Sequence, residues 1–453
     1  SIGAQAAAFH AGPAGVLSFL IAGVVCGAAV MCYAEFASMI PVAGSAYTFT
    51  YTTVGEIVAW VIGWDLILEM LMAGSVVSKY WGVYLNQFFE LIGWNNNTNI
   101  AIGSFNFDLA PVIIVAFFTA LLVMGTKIGA RVDGALTILK IAIVVFIVVV
   151  GFFYIKAENF TPFIPPSEPA ASTDGSGVSA VMEQPLWQWA TGMAPSIYGV
   201  TGIISGAALV FFAFLGFDVV ATASEETINP KKNVPLGIGV GLGLIIVLYT
   251  LVAIVTTGMV SYKDLAKQSD PSLAVAFKMV GADWAAKIIS LGIVIGMATV
   301  VMVLLLGLTR VVFAMSRDGL LPRGLSHTGK HGTPVRLQII VGVVMALIAA
   351  CCNVGILSDM VNIGTLSAFT LVAISIPIMR KKRPDLERSF KIPGNPWVPI
   401  LIALANLWLM VNLSVLTWIR FVVWLIVGFA IYFGYGYRHA RLGAGELEVA
   451  AQE

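Results

Sequence analysis

Eleven stretches of this 453-residue chain are apolar over a length that crosses a bilayer, and that excludes most other folds. A spanning helix needs about 20 predominantly apolar residues, because without water each backbone polar group must be satisfied within the segment. The stretches are 14–38, 56–78, 109–125, 134–155, 202–223, 236–260, 287–312, 337–353, 356–378, 397–414 and 419–437. Two run long: the 56–78 stretch continues amphipathically toward Ile92, and the segment from Trp284 passes Arg310 before Pro322. Charged residues are only 11% of the chain, against about a quarter in a soluble domain. The expected fold class is an all-α polytopic membrane protein, with the lipid bilayer as its first partner.

The basic residues orient the set. Of 25 Lys and Arg, 17 fall on one side, densest over 380–391, and 6 on the other, while Lys79 and Lys140 lie within or at the end of spans. The positive-inside tendency makes the 380–391 side and the C-terminal tail cytoplasmic. Eleven spans then put Ser1 outside. The simplest account is a further helix upstream, with residues 1–10 as its outer end and twelve spans in all. The polar stretches 95–106 and 162–185 become outside loops, and 264–278 a short amphipathic outer helix. Residues 445–453 are a polar tail. Asn96, Asn159 and Asn412 open N-x-Ser/Thr sequons, a pattern too common by chance to weigh.

Cys26, Cys32, Cys351 and Cys352 all fall in apolar segments and read as packed thiols. His327 and His331 are four apart, but in a Gly/Pro-rich loop without a supporting acid or cysteine. A zinc or di-iron membrane enzyme is therefore not expected, nor any cofactor. With no basic tract interleaved with aromatics, nucleic acid is not an expected partner. A protein partner is not defined by the sequence.

Residues 211–230 are the most informative stretch. An apolar, membrane-length segment carries Gly216 and Asp218 in its second half, then ends in Glu225, Glu226 and Pro230. An ionised side chain within a bilayer costs at least a few kcal/mol, so it marks a functional site by default. A glycine-weakened helix at membrane depth frees backbone carbonyls and amides, tolerated only where they line a cavity or a ligand. Together they point to a substrate site, with Glu225 and Glu226 at its exit. Phe211, Phe212 and Phe214 read either as aromatic core or, beside a broken helix, as lids over a ligand.

Other polar residues lie inside spans. Asp65 and Glu69 are four apart and share a helix face. They either fix packing or, with Asp218, form an acidic wall toward a polar cavity. Glu35, under two turns before Pro41, reads as a snorkelling side chain at the interface. Lys140, two turns into its span, either snorkels or is a buried amine that gains and loses a proton in a conformational cycle. Thr299 is a hydroxyl suited to a facing helix, and Met302 lies one turn further along; alone, both read as packing residues.

Several motifs carry a resemblance. Phe211-Phe-Ala-Phe-Leu-Gly-Phe-Asp…Glu225-Glu…Asn229-Pro…Pro235-Leu-Gly-Ile is similar to the sixth helix and following loop of bacterial cationic amino acid transporters. Those belong to the amino acid–polyamine–organocation superfamily. Cys32-Tyr-Ala-Glu-Phe…Pro41-Val-Ala-Gly-Ser-Ala-Tyr, Gly63-Trp-Asp-Leu-Ile-Leu-Glu, Ala314-Met-Ser-Arg-Asp-Gly-Leu-Leu-Pro and Met360-Val-Asn-Ile-Gly-Thr-Leu agree. So do Arg383-Pro-Asp-Leu-Glu-Arg-Ser-Phe-Lys-Ile-Pro and the ending Thr417-Trp-Ile-Arg-Phe…Ile431-Tyr-Phe-Gly-Tyr-Gly, so the resemblance covers essentially the whole chain.

The resemblance implies the LeuT-like fold, two inverted five-helix repeats whose discontinuous first and sixth helices meet at midplane. It divides the chain into a first repeat at 1–155 (helix 1 truncated, helices 2–5) and an extracellular loop at 156–201. A second repeat follows at 202–378, then helices 11–12 at 379–437 and a cytoplasmic tail at 438–453. The implied substrate contacts are Phe211, Ala213, Phe214 and Leu215 around the break, with Phe212 as gate and Met302 nearby. A half-helix N-terminus would take the amino acid's carboxylate and freed carbonyls its ammonium, matching the partial charges of helix ends. Lys140 falls where proton-coupled members place a lysine in a sodium position, near Thr299.

The sequence also departs from the pattern. The Gly-x-Gly-Ile-Phe break of the first helix is absent, so the carboxylate ligands have no counterpart here. Gly129-Ala-Arg-Val lacks a preceding Glu-Ser. The expected function is secondary active, proton-coupled symport of cationic or small neutral L-amino acids (arginine, lysine, ornithine or alanine class) in the cell membrane. The alternatives are amino acid exchange without net proton coupling and a transport-dead sensor.

Overall fold

The computed structural model describes residues 2–39, 45–95, 97–125, 130–170, 180–222, 227–269, 271–330 and 332–440. Pro41, Asn96, Gly129, Glu225, Glu226, His331 and the 445–453 tail lie outside the described residues. The first part of the chain forms α1 (Ile2–Ala6), α2 (Gly15–Met39), α3 (Ser45–Thr53), α4 (Glu56–Leu91), α5 (Leu109–Val123) and α6 (Ala130–Phe152). A long connection carries α7 (Ala180–Glu183) and α8 (Leu186–Ala190), and leads to α9 (Gly199–Val210) and α10 (Phe217–Thr222). Then come α11 (Pro230–Met259), α12 (Tyr262–Ala266), α13 (Leu273–Met279), α14 (Asp283–Arg317) and α15 (Val335–Cys351). The last are α16 (Val354–Lys382), α17 (Trp397–Val411), α18 (Val415–Ile431) and α19 (Tyr437–His439). Among the described residues, 8 helical runs are long and apolar enough to cross a membrane, while α5, α15 and α17 are shorter apolar helices. Between them they take in all the stretches expected from hydropathy.

The run Ile2–Met39 is not one rod. Gly12 takes φ 63 and ψ −143, a conformation open mainly to glycine, and Pro13 lacks the N–H that would continue the helix. The chain therefore doubles back. A Cβ on Gly15 would lie 3.8 Å from the Ala7 backbone, and one on Gly3 would lie 3.1 Å from the Phe19 ring. Residues 2–11 form a separate helical arm packed on α9, and the Tyr198 hydroxyl donates to the Ala8 carbonyl at 2.7 Å.

Other boundaries moved for local reasons. The helix expected to begin at 202 starts at Gly199, because Tyr198 turns the chain at φ 62 and donates its N–H to the His10 carbonyl at 3.0 Å. The expected single helix over 264–278 is two, α12 and α13. Ser272 opens the second, its Oγ accepting the Val275 N–H at 3.2 Å. The 95–106 loop contains an antiparallel hairpin, β1 (Asn99–Ile102) with β2 (Phe105–Asp108), around Gly103 at φ 65. Alternation through Ile100, Ile102, Phe105 and Phe107, with a two-residue Gly-Ser turn, was the signal for it. A second pair, β3 (Glu168–Pro169) with β4 (Ser196–Ile197), ties the long connection together. Cys351 is exposed at the end of α15 instead of packed, while Cys26 and Cys32 are buried.

Helix α4 is the axis of the core, packed on α14, α16 and α15 and buried around most of its circumference. That is why apolar residues occur all round it, with Asp65 and Glu69 among the exceptions. Outward-facing Ile138 and Val149 of α6 and Val423 and Ile426 of α18 are exposed apolar residues, as a lipid-facing surface requires. Helix α18 is held to α4 by two tryptophans: Trp64 Nε1 donates to the Trp424 carbonyl at 2.8 Å, and Trp424 Nε1 to the Trp64 carbonyl at 3.3 Å. Their rings stack with centroids 4.1 Å apart. Gly428 leaves room for this clasp, since a Cβ there would overlap the Trp64 indole. Gly428→Val is expected to destabilise the protein by about 1–3 kcal/mol through overpacking. An unchanged unfolding midpoint in detergent would show that the clasp contributes nothing.

Glu35 does not snorkel. It is fully buried and accepts Arg380 Nε at 2.7 Å, Arg380 Nη2 at 2.9 Å and the Ile392 N–H at 3.3 Å, and Arg388 Nε lies in ion-pair range at 3.5 Å. The pair ties the end of α2 to the end of α16, and α16 runs on through Lys382, beyond the expected boundary at 378.

Candidate functional site

The span Gly199–Val220 is broken where the glycine suggested. Helix α9 ends at Val210, Phe211–Phe214 makes one 3₁₀ turn, Leu215 is extended at ψ 154, and α10 begins at Phe217. Gly216 sits at φ 127, which side-chain-bearing residues rarely adopt, and a Cβ there would meet nothing within 4 Å. Backbone conformation, not space, therefore requires the glycine.

The aromatic residues divide. Phe211 is buried edge-on to Phe369 at 6.1 Å, and Phe214 packs on Tyr249 at 5.4 Å and Phe19 at 6.2 Å. Their rings are core, which holds the break in place. Phe212, Ala213 and Leu215 are half-buried, and so is Met302 of α14.

The three acids are drawn into the core around α10. Asp65 and Asp218 are 0% exposed and Glu69 is 3% exposed. Ser367 Oγ of α16 donates to Asp65 Oδ2 at 2.6 Å. Glu69 and Asp218 lie close enough for their charges to interact, with Thr365 beside Glu69. Val219, next to Asp218, packs on Gly307 of α14, which Met70 of α4 also approaches.

Lys140 belongs to a different seam. It is half-buried on α6, and its stem lies over Gly296 of α14, where a Cβ would meet Lys140 Cγ at 3.2 Å. Thr299 is buried and donates its hydroxyl to the Gly296 carbonyl at 3.0 Å. The lysine stem thus crosses α14 at the turn that carries Thr299.

Three residues that hold the broken span escaped the sequence reading. Ser18 Oγ donates to the Ile203 carbonyl at 2.7 Å, Asn362 Nδ2 to the Leu209 carbonyl at 3.2 Å, and Cys26 Sγ to the Phe214 carbonyl at 3.7 Å. They come from α2 and α16, on two sides of the span. Their only signal was a small polar residue in an apolar helix, which is too common to single them out.

A cavity of 690 Å³ lies at the N-terminal end of α16, away from the basic 380–391 end. It follows α9 down to Ser205 and Leu209, one turn before Phe212. His10 Nδ1 hydrogen-bonds with Ser205 Oγ at 3.2 Å in its wall.

Residues 1–433 match the amino acid permease family. The chain is 41% identical over 443 residues to the branched-chain amino acid permease BcaP of Bacillus subtilis, covering 96% of this chain and 88% of that protein. It is 40% identical over 444 residues to the methylthioribose transporter of Bacillus subtilis, with the same 96% and 88% coverage. To the vacuolar cationic amino acid transporter 2 of Arabidopsis thaliana it is 36% identical over 384 residues, which are 83% of this chain and 56% of that protein.

Proposed function

Because the chain belongs to the amino acid permease family, transporters and not enzymes with an all-α, LeuT-like fold, we propose that it couples L-amino acid uptake to proton entry by alternating access. The observation that carries this reading is the break between Leu215 and Gly216, set against buried carboxyls. The carbonyls of Phe211 and Ala213 meet the substrate ammonium, while that of Phe214 is engaged by Cys26. Phe212 gates the site, and Leu215 and Met302 line it. The basic 380–391 end is cytoplasmic, so the C-terminus is inside the cell membrane and the 690 Å³ cavity faces outside.

Asp65 is engaged by Ser367, which leaves it poorly placed to receive a cationic side chain. That favours a small or branched neutral substrate, in line with the name of the 41% identical permease. A cationic substrate is the second reading, favoured by the relative named a cationic amino acid transporter. Lys140, with Thr299, and the Glu69–Asp218 pair are the proton-holding groups.

Uptake into proteoliposomes across a pH series tests both points, with arginine, lysine, ornithine, alanine, leucine and methylthioribose as substrates. Leucine or alanine uptake that rises with external acidity is expected, and arginine alone competing would reverse the substrate order. Lys140→Ala is expected to remove the pH dependence. Unchanged, pH-independent uptake in both proteins would instead favour exchange without net proton coupling.

A further inference from the structure

We propose that Asp359 and Arg420 form a vestibular site in the 690 Å³ cavity that captures the zwitterionic head of an amino acid before it reaches the broken helix. The proposal rests on the reading of the chain as an amino acid transporter. Asp359 lies in the second turn of α16 and Arg420 in the second turn of α18, and both line the cavity. They are near enough for their charges to interact. Among the described residues, though, Arg420 makes no ion pair within 4 Å and no hydrogen bond. A guanidinium offers five donors, and one standing half-buried on an otherwise apolar helix calls for an acceptor.

Asp359 is held in place. Thr417 Oγ1, itself 2.7 Å from the Ser414 cap, lies 3.3 Å from Asp359 Oδ2. Glu183 adds a second negative charge to the lining, and Gln5 and Ser205 offer polar groups on other walls. A simple anion would meet Asp359 and Glu183, and a simple cation would meet Arg420. A molecule with a carboxylate and an ammonium on one carbon satisfies both signs at once. Phe9, Leu209 and Ile356 provide apolar surface for its side chain, and the volume falls within the few hundred to about 1,000 Å³ usual for small-ligand sites. Leu209 also places the cavity floor one turn from Phe212, so release from the vestibule delivers the amino acid toward the break.

The test uses the full chain with Ile356→Cys in a Cys351→Ala, Cys352→Ala background, labelled by a membrane-impermeant methanethiosulfonate. L-leucine, L-alanine and L-arginine are expected to slow labelling. Isopentylamine and 4-methylpentanoate, each lacking one charged group, should be about tenfold weaker. Arg420→Gln and Asp359→Asn should each raise the half-protecting concentration and the KM for uptake about tenfold, with Vmax little changed. Arg420→Lys, which keeps the charge, should restore part of the protection. Two results would overturn the site: unprotected labelling in a protein that transports these amino acids, or protection that survives both neutral substitutions. Protection without uptake of any amino acid would leave the site standing and sink the transport reading.

Discussion

Glu35→Ala is expected to destabilise the protein by about 3–5 kcal/mol, the usual cost of removing one partner from a buried ion pair. The carboxylate is fully buried and accepts both arms of the Arg380 guanidinium, and the Arg388 side chain beside it is 5% exposed. Removing it leaves two cations without their counter-charge and frees the Ile392 N–H. Unfolding in detergent, followed by intrinsic fluorescence, should show a midpoint lowered by roughly 5 °C or more. The Arg380→Met, Arg388→Met variant in the Glu35→Ala background should recover part of the loss, because it removes the stranded charges. A midpoint for Glu35→Ala equal to that of the parent protein would mean that the network is not part of the fold's stability.

Gly216→Val is expected to reduce uptake more than tenfold with little change in the unfolding midpoint. A β-branched residue at φ 127 is strained by on the order of 1–3 kcal/mol, and the chain can relieve that by closing the break. Crowding cannot be the cause, since the added Cβ would meet nothing within 4 Å. Uptake and membrane abundance measured on the same vesicles separate the two effects. Uptake within twofold of the parent protein would show that the interrupted helix is not needed for transport.

Hydropathy made the spans legible, because the bilayer demands a fixed apolar length wherever the helix packs. The break was legible for a similarly local reason: a glycine and an acid inside such a span conflict with an unbroken helix. The shared face of Asp65 and Glu69 follows from helical periodicity. The reading of Glu35 as snorkelling failed because its partners, Arg380 and Arg388, lie more than 340 residues away in the chain. The hairpin at 99–108 differs from the plain loop expected between spans, and the alternation of Ile100, Ile102, Phe105 and Phe107 is the local signal that encodes it. Gly12-Pro13 separates the 2–11 arm from α2.

The sequence by itself determined that the chain is a bundle of membrane helices, where each begins within a few residues, and that the 199–222 span is interrupted. Tertiary structure alone decided which side chains serve that interruption. Phe211 and Phe214 turned inward to Phe369 and Tyr249, Cys26 engaged the Phe214 carbonyl, and Asp65 found Ser367 at a separation of 302 residues. The physical reason is range. Apolar length and backbone propensity act within one helix, whereas a buried polar group takes whatever partner the neighbouring helix brings within about 3 Å.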